Sequence, residues 1–309
     1  MDPIEAIAID KDSTFALMWE AQRRGHEVWY ALVDDLWARD GLPWVSARTA
    51  RLAKVQGEHA DLGPRVDLAL GDVDLVWMRK DPPFHMDYIF NTYLLDYVPP
   101  PTLVVNAPHG LRAMNEKAWA IRFADLTPTS IITQSMDRIR ALAEELGRIV
   151  VKPLDGNGGE GVFILRKDDP NIGVILEAST RHETRKVLAQ TYLPEAKQGD
   201  KRIILVDGEP VGAVNRVPQG VDHRGNIHAG AAVDKATLTP REQEICARIG
   251  PDLREAGQIF VGIDVIGDWL TEVNVTSPTG IHEINTFDGV CLEALILDAA
   301  DRRWRKLQE

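Results

Sequence analysis

Cysteine is almost missing from this chain of 309 residues, which has only Cys246 and Cys291. Neither belongs to a Cys/His spacing of the metal-binding type. Both fall in amphipathic helical patterns, so they read as buried thiols of a reducing, cytoplasmic compartment. No apolar stretch approaches the roughly 18 residues of a membrane span, and the start, Met1-Asp2-Pro3-Ile4-Glu5, is not a signal peptide. Long runs of Lys or Arg are also lacking. With a net charge of −12, this argues against nucleic acid or an anionic membrane as the main partner. No internal repeat is present. What remains is an ordinary globular composition, long enough for a substantial core and two or three domains.

The first third alternates helix and strand patterns, an α/β layer. Asp12 or Ser13 can cap a helix that runs to Arg24 and stops at Gly25, and residues 28–33, 75–78 and 103–105 read as strands. Pro99-Pro100-Pro101 is a rigid connector after a helix over 88–97. From Asn115 the pattern changes to helix, strand, helix and strand as far as Val151, a glycine-rich turn, and a strand over 162–165. Residues 186–217 are almost all strand, 240–256 are helical, and 287–305 close the chain as one amphipathic helix. These changes place an amino-terminal parallel-sheet α/β domain at 1–113, a small lobe with the glycine-rich hairpin at 114–187, and a large lobe at 188–309.

Two stretches carry chemistry. Glu272 and Asn274 are two residues apart and project from one face of a strand, with Asp264 on the preceding apolar run and only Gly267-Asp268-Trp269 between the runs. These oxygen donors suit Mg²⁺, which is completed by water and substrate phosphates. The spacing sets a test: Asp264 faces Glu272 if the loop has three residues, whereas a two-residue Gly-Asp turn sets it against Thr271. The second stretch is Lys152-Pro153-Leu154-Asp155-Gly156-Asn157-Gly158-Gly159-Glu160-Gly161. Its glycines let backbone N–H groups approach phosphate. A strand pattern follows it, which excludes a dinucleotide fold. No Lys-Ser or Lys-Thr completes a Walker A loop, and the His-Arg-Asp and Asp-Phe-Gly of a protein kinase are absent.

Downstream, Gln190-Thr191-Tyr192-Leu193 is an apolar strand suited to framing an adenine ring. Asp200 can accept ribose hydroxyls, and Arg202 can reach phosphate or a carboxylate. Arg216 and Arg224 flank a loop of about a dozen residues, a length often functional, so residues 219–232 read as a mobile lid.

Together these residues resemble the prokaryotic glutathione synthetases of the ATP-grasp superfamily. The likeness rests on Asp2-Pro3-Ile4, Arg79-Lys80-Asp81-Pro82-Pro83-Phe84, Asn115-Glu116-Lys117, Gly199-Asp200-Lys201-Arg202 and Asn274-Val275-Thr276-Ser277-Pro278-Thr279, and it runs nearly end to end. It implies a two-lobed α+β ATP-grasp domain after the first domain, and a ligase that joins γ-glutamylcysteine to glycine through an acylphosphate, releasing ADP and phosphate. The implied cofactors are ATP with Mg²⁺, or Mn²⁺ as a substitute, and the implied assembly is a homo-oligomer, a tetramer. By the same resemblance Lys117 and Lys152 hold phosphates, Arg216, with Arg202 and Arg224, stabilises the oxyanion, Ser277 and Thr279 take the glycine carboxylate, and Arg79 approaches the γ-glutamyl end.

Two departures stand out. Relatives carry further apolar residues before Asp-Pro-Ile, so a strand upstream of Met1 is expected. The lid ends in Ala229-Gly230-Ala231-Ala232 where Gly-Gly-Arg is expected. The alternatives are another ATP-grasp carboxylate–amine ligase, disfavoured by the Arg79 to Phe84 string, and a nucleotide-binding regulatory protein without turnover, disfavoured by Lys117, Lys152, Arg216, Glu272 and Asn274.

Overall fold

A computed structural model describes residues 1–156, 158–218 and 232–309. Asn157, Arg224 and nearly all of the expected lid lie outside the described residues. The chain opens on α1 (Ser13–Arg23), whose first turn is capped by Asp12 Oδ1 accepting from the Phe15 amide at 2.6 Å. It ends at Gly25, which adopts φ +84°. The expected strand over 28–33 shrinks to β1 (Trp29–Tyr30). β1 joins an antiparallel sheet with β2 (Leu36–Arg39), β3 (Leu42–Leu52) and β4 (Ala60–Ala69). A parallel pair, β5 (Leu75–Trp77) with β6 (Leu103–Val105), encloses α2 (Met86–Leu95) in the chain, and α3 (Pro108–Ala113) follows. The architecture is mixed α/β.

The long β3–β4 hairpin has no counterpart in the sequence reading, and the reason is a bulge. Val45 and Ala47 are buried, then a register shift between Arg48 and Ala50 moves the inward positions to Ala50 and Leu52. A strict period of two fails across that extra residue.

The next unit is a four-stranded antiparallel sheet in the order β7-β10-β8-β9, built from β7 (Ser130–Thr133), β8 (Arg148–Pro153), β9 (Phe163–Arg166) and β10 (Val187–Thr191). α4 (Met136–Leu146) and α5 (Ile172–Thr180) cover one face, where Ile139, Leu142 and Leu176 pack on Ile149, Val151, Leu165 and Val187. The glycine-rich stretch joins β8 to β9 as a hairpin loop. β10 pairs with both β7 and β8, so all of 187–191 stays with this sheet.

The last unit is a five-stranded antiparallel sheet, β13-β12-β11-β14-β15, formed by β11 (Asp200–Val206), β12 (Glu209–Val217), β13 (Ala232–Lys235), β14 (Phe260–Ile266) and β15 (Trp269–Asn274). Alternation along β11 splits two cores: Ile203 and Leu205 face α6 (Pro240–Glu255), while Ile204 and Val206 face α7 (Ile281–Asp288) and α8 (Leu292–Lys306). The single closing helix expected over 287–305 is therefore two helices, broken where Gly289 takes φ +66°. Cys291 sits at the N-cap of α8 and is exposed, whereas Cys246 in α6 is buried as expected.

Candidate active site

The β14–β15 hairpin turns through two residues, Gly267 and Asp268, with Ile266 opposite Trp269 and Val265 opposite Leu270. Gly267 supplies the positive φ, +58°. The three-residue loop expected from the sequence is thus absent, and an unbroken ladder would set Asp264 against Thr271. A register shift after Asp264 leaves Thr271 as the extra residue, its hydroxyl donating to the Asp264 carbonyl at 3.0 Å, and brings Asp264 opposite Glu272. The bulge does what the longer loop was expected to do. Asp264, Glu272 and Asn274 end on one face, and Asn274 Nδ2 donates to Asp264 Oδ2 at 3.3 Å.

Strand pairing brings the arginines to the same face. Arg202 lies opposite Asp264, and Asp200, two residues earlier, lies opposite Arg216. Arg202 clamps Asp264 bidentately, Nε to Oδ1 at 2.5 Å and Nη2 to Oδ2 at 2.9 Å, while Arg216 Nη2 stands 3.0 Å from Asp264 and 2.6 Å from Asp200. Burial would raise the Asp264 pKa, but the two guanidiniums outweigh it and hold the carboxyl well below the usual range. Asp200 goes the other way. Burial, with Asp264 and Glu272 adding to it, outweighs Arg216 and pushes it up to about 6. Its Oδ1 is buried without a hydrogen-bond partner.

These side chains line the inner end of a cleft of about 1290 Å³ between the two sheets. From the small sheet, Lys152 reaches within 3.7 Å of Glu272, and Lys117 stands 3.9 Å from it. Lys117 also pairs with Glu116 and donates to the Gly156 carbonyl at 2.8 Å. Glu272 and Glu116 hold the Lys117 ammonium charged against the opposing effect of burial. The glycine hairpin is pinned from behind: Asn115 Nδ2 donates to the Leu154 carbonyl at 2.8 Å, and Arg185 pairs with Asp155. Gly158, Gly159 and Gly161 adopt φ +65°, +77° and +70°, a backbone that L side chains rarely take.

A divalent cation fits this donor set. Among the described residues no three His, Cys, Asp or Glu side chains converge on one metal position. Two carboxylates and an amide oxygen leave the remaining positions to water and phosphate, as Mg²⁺ prefers. Among the described residues the inner end also holds four cations, Lys117, Lys152, Arg202 and Arg216, against four carboxylates, Glu116, Asp200, Asp264 and Glu272. The charges of these eight groups balance, and a divalent cation would offset the added charge of a triphosphate.

The structure brings most of the expected residues to one cleft. Lys117, Lys152, Gly156, Gly158, Gly159, Gln190, Tyr192, Leu193, Asp200, Arg202, Arg216, Asp264, Glu272, Asn274, Ser277 and Thr279 all line it. Asp155 and Arg79 do not. Asp155 faces Arg185 behind the hairpin. Arg79 is 4% exposed, donating to Thr14 Oγ1 at 3.1 Å and to the Pro278 carbonyl at 3.0 Å, with its guanidinium over Phe260. It therefore braces the 277–279 loop, with Nε and Nη2 both donating to protein. Glu116 and Arg148 line the cleft and were missed in the sequence. Arg148 was signalled by alternation, since Arg148, Val150 and Lys152 share the cleft face of β8.

A glycine-tipped hairpin and a lysine of one antiparallel sheet facing a second sheet that bears arginines and opposed carboxylates define an ATP-grasp fold. Solved structures agree. An ATP-grasp RimK domain protein from Sphaerobacter thermophilus superposes with a TM-score of 0.62 at 17% identity, over 96% of each chain. D-cycloserine synthetase DcsG gives 0.61 at 15%, over 76% of this chain and 86% of its own. The family descriptions "Prokaryotic glutathione synthetase, N-terminal domain" and "Prokaryotic glutathione synthetase, ATP-grasp domain" match residues 1–112 and 116–289. The glutathione synthetase of Brucella melitensis is 49% identical over 98% of this chain and 97% of its own length, and that of Escherichia coli K12 is 45% identical over 98% and 96%. The chain belongs to the prokaryotic glutathione synthetase family.

Proposed function

We propose that this ATP-dependent ligase forms glutathione from γ-glutamylcysteine and glycine in the cleft between its two sheets. The observation that carries the reading is the inner end, where Asp264 faces Glu272 and two lysines approach Glu272 within 4 Å. Lys117 and Lys152 take the phosphates there, under the glycine hairpin. Asp264, Glu272 and Asn274 would hold Mg²⁺, which would supply positive charge to offset that of the phosphates. Mn²⁺, which accepts the same oxygen ligands, substitutes for it. A cysteinyl carboxylate oxygen attacks the γ-phosphorus and ADP leaves. The glycine amine then attacks the acyl carbon, and phosphate departs with that oxygen.

Arg202 and Arg216 stand at the reacting end, preorganised by Asp264 and Asp200, and stabilise the oxyanion of the second step. By family resemblance the same role extends to Arg224, which lies outside the described residues. Ser277 and Thr279 receive the glycine carboxylate on a loop braced by Arg79. Gln190 to Leu193 frame the adenine, and Asp200, which lines the same cleft, accepts a ribose hydroxyl. No side-chain nucleophile is needed.

We also place the lobe boundary after Thr191 rather than at 187, because β10 pairs inside the small sheet. A homo-oligomer, a tetramer by family resemblance, is supported by Met86, Phe90, Tyr93 and Tyr97, exposed at helical spacing along and just beyond α2. Among the described residues no helix is long and apolar enough to cross a membrane, and the two free cysteines fit a cytoplasmic setting.

The acylphosphate is tested by isotope transfer. With ¹⁸O in the cysteinyl carboxylate, the released phosphate is expected to carry one label. Unlabelled phosphate would show that the carboxylate oxygen is not transferred.

A further inference from the structure

The outer end of the cleft holds a cation that the reaction does not use. Arg148, Val150 and Lys152 point into the cleft from alternate positions of β8. At ~3.3 Å per residue, Arg148 sits about 13 Å from Lys152, a separation comparable to the reach of a nucleoside triphosphate from terminal phosphate to base. Its carbonyl accepts from the Tyr192 amide at 3.2 Å, tying it to the segment between the lobes. Its Cζ lies 3.7 Å from the centroid of the Tyr192 ring. At that distance the guanidinium must lie flat on the ring, because an edge-on approach would drive a nitrogen into it. Among the described residues Arg148 forms no ion pair, and its Nε is buried with no hydrogen-bond partner.

A planar cation fixed on an aromatic ring, uncommitted to any carboxylate and lining the cleft, is a stacking platform. We propose that Arg148, held flat by Tyr192, stacks on the nucleobase and supplies base-end affinity for the nucleotide. The inference rests on the nucleotide orientation given above, with phosphates at Lys152. Because every base presents a π-face, such a platform strengthens binding without choosing between purines.

Equilibrium binding to the whole chain with Mg²⁺ tests it, using ATP, ADP, GTP and inorganic tripolyphosphate as probes. Arg148→Ala is expected to weaken ATP, ADP and GTP alike by roughly tenfold and to leave tripolyphosphate unchanged. Arg148→Lys keeps the charge but not the plane, and is expected to behave like Arg148→Ala. The proposal is overturned if tripolyphosphate weakens in parallel, which makes Arg148 a phosphate ligand. It is also overturned if Lys restores wild-type affinity, or if ATP affinity is unchanged in Arg148→Ala. A wild-type chain that binds neither ATP nor tripolyphosphate would instead refute the underlying functional reading.

Discussion

Asp264 and Asp200 lie on one sheet face and titrate in opposite directions, and the difference traces to which charges each one meets. Asp264 is clamped by two guanidiniums; Asp200 shares Arg216 and faces the other carboxylates. Because the folded pKa of Asp200 rises from 3.8 to about 6, the native chain keeps a proton that the unfolded chain releases in that interval. The contribution of Asp200 to stability therefore falls as pH rises from 3.8 toward 6 and then levels off, a loss of at most about 3 kcal/mol. In the ligand-free protein Asp200→Asn should escape that loss, raising the melting temperature over wild type at pH 7.5 but not near pH 3.5. An equal difference at both pH values would contradict this. Glu272 is the other decisive residue. Glu272→Gln removes one of the two carboxylates proposed to hold the cation and should lower Mg²⁺-dependent turnover by at least roughly 100-fold with unchanged circular dichroism. Retained turnover would place the cation elsewhere.

At the scale of elements, bulges and tight turns decide where side chains arrive. Local motifs were legible: the paired spacing of Glu272 and Asn274, and the glycine run between two strand patterns. The two-residue turn and the bulge that together place Asp264 were not, because alternation cannot show an extra residue opposite another strand. The β3–β4 hairpin was hidden in the same way. The closing helix was read as continuous since its apolar pattern runs through Gly289, where a positive φ ends α7. The Asp207-Gly208 turn joining β11 to β12 was equally silent about what it touches. Both its residues have positive φ, +53° and +80°, and a Cβ on Gly208 would lie 2.6 Å from the Gly250 carbonyl of α6. Gly208→Ala is therefore expected to cost about 2–4 kcal/mol in urea unfolding; a change below about 0.5 kcal/mol would show that the turn and α6 can separate.

Across the whole molecule, the site belongs to neither sheet alone. Lys152 and the glycine hairpin come from the small sheet, Asp264, Glu272 and the arginines from the large one, and Arg79 of the first domain supports the 277–279 loop that follows β15. The contact of Arg202 with Asp264 spans 62 residues of sequence, and that of Arg79 with Pro278 spans 199. Such pairings come from topology, so the residue types were legible in the sequence while their partners were not. The reaction itself gives the most direct test: phosphate release from ATP and glutathione formation, followed together with γ-glutamylcysteine, glycine and Mg²⁺ supplied or withheld in turn. The account predicts that phosphate and glutathione appear in equal amounts only when all three are present, and that without glycine phosphate release stays at or below the amount of enzyme. Sustained release without glycine, or turnover that ignores γ-glutamylcysteine, would contradict it.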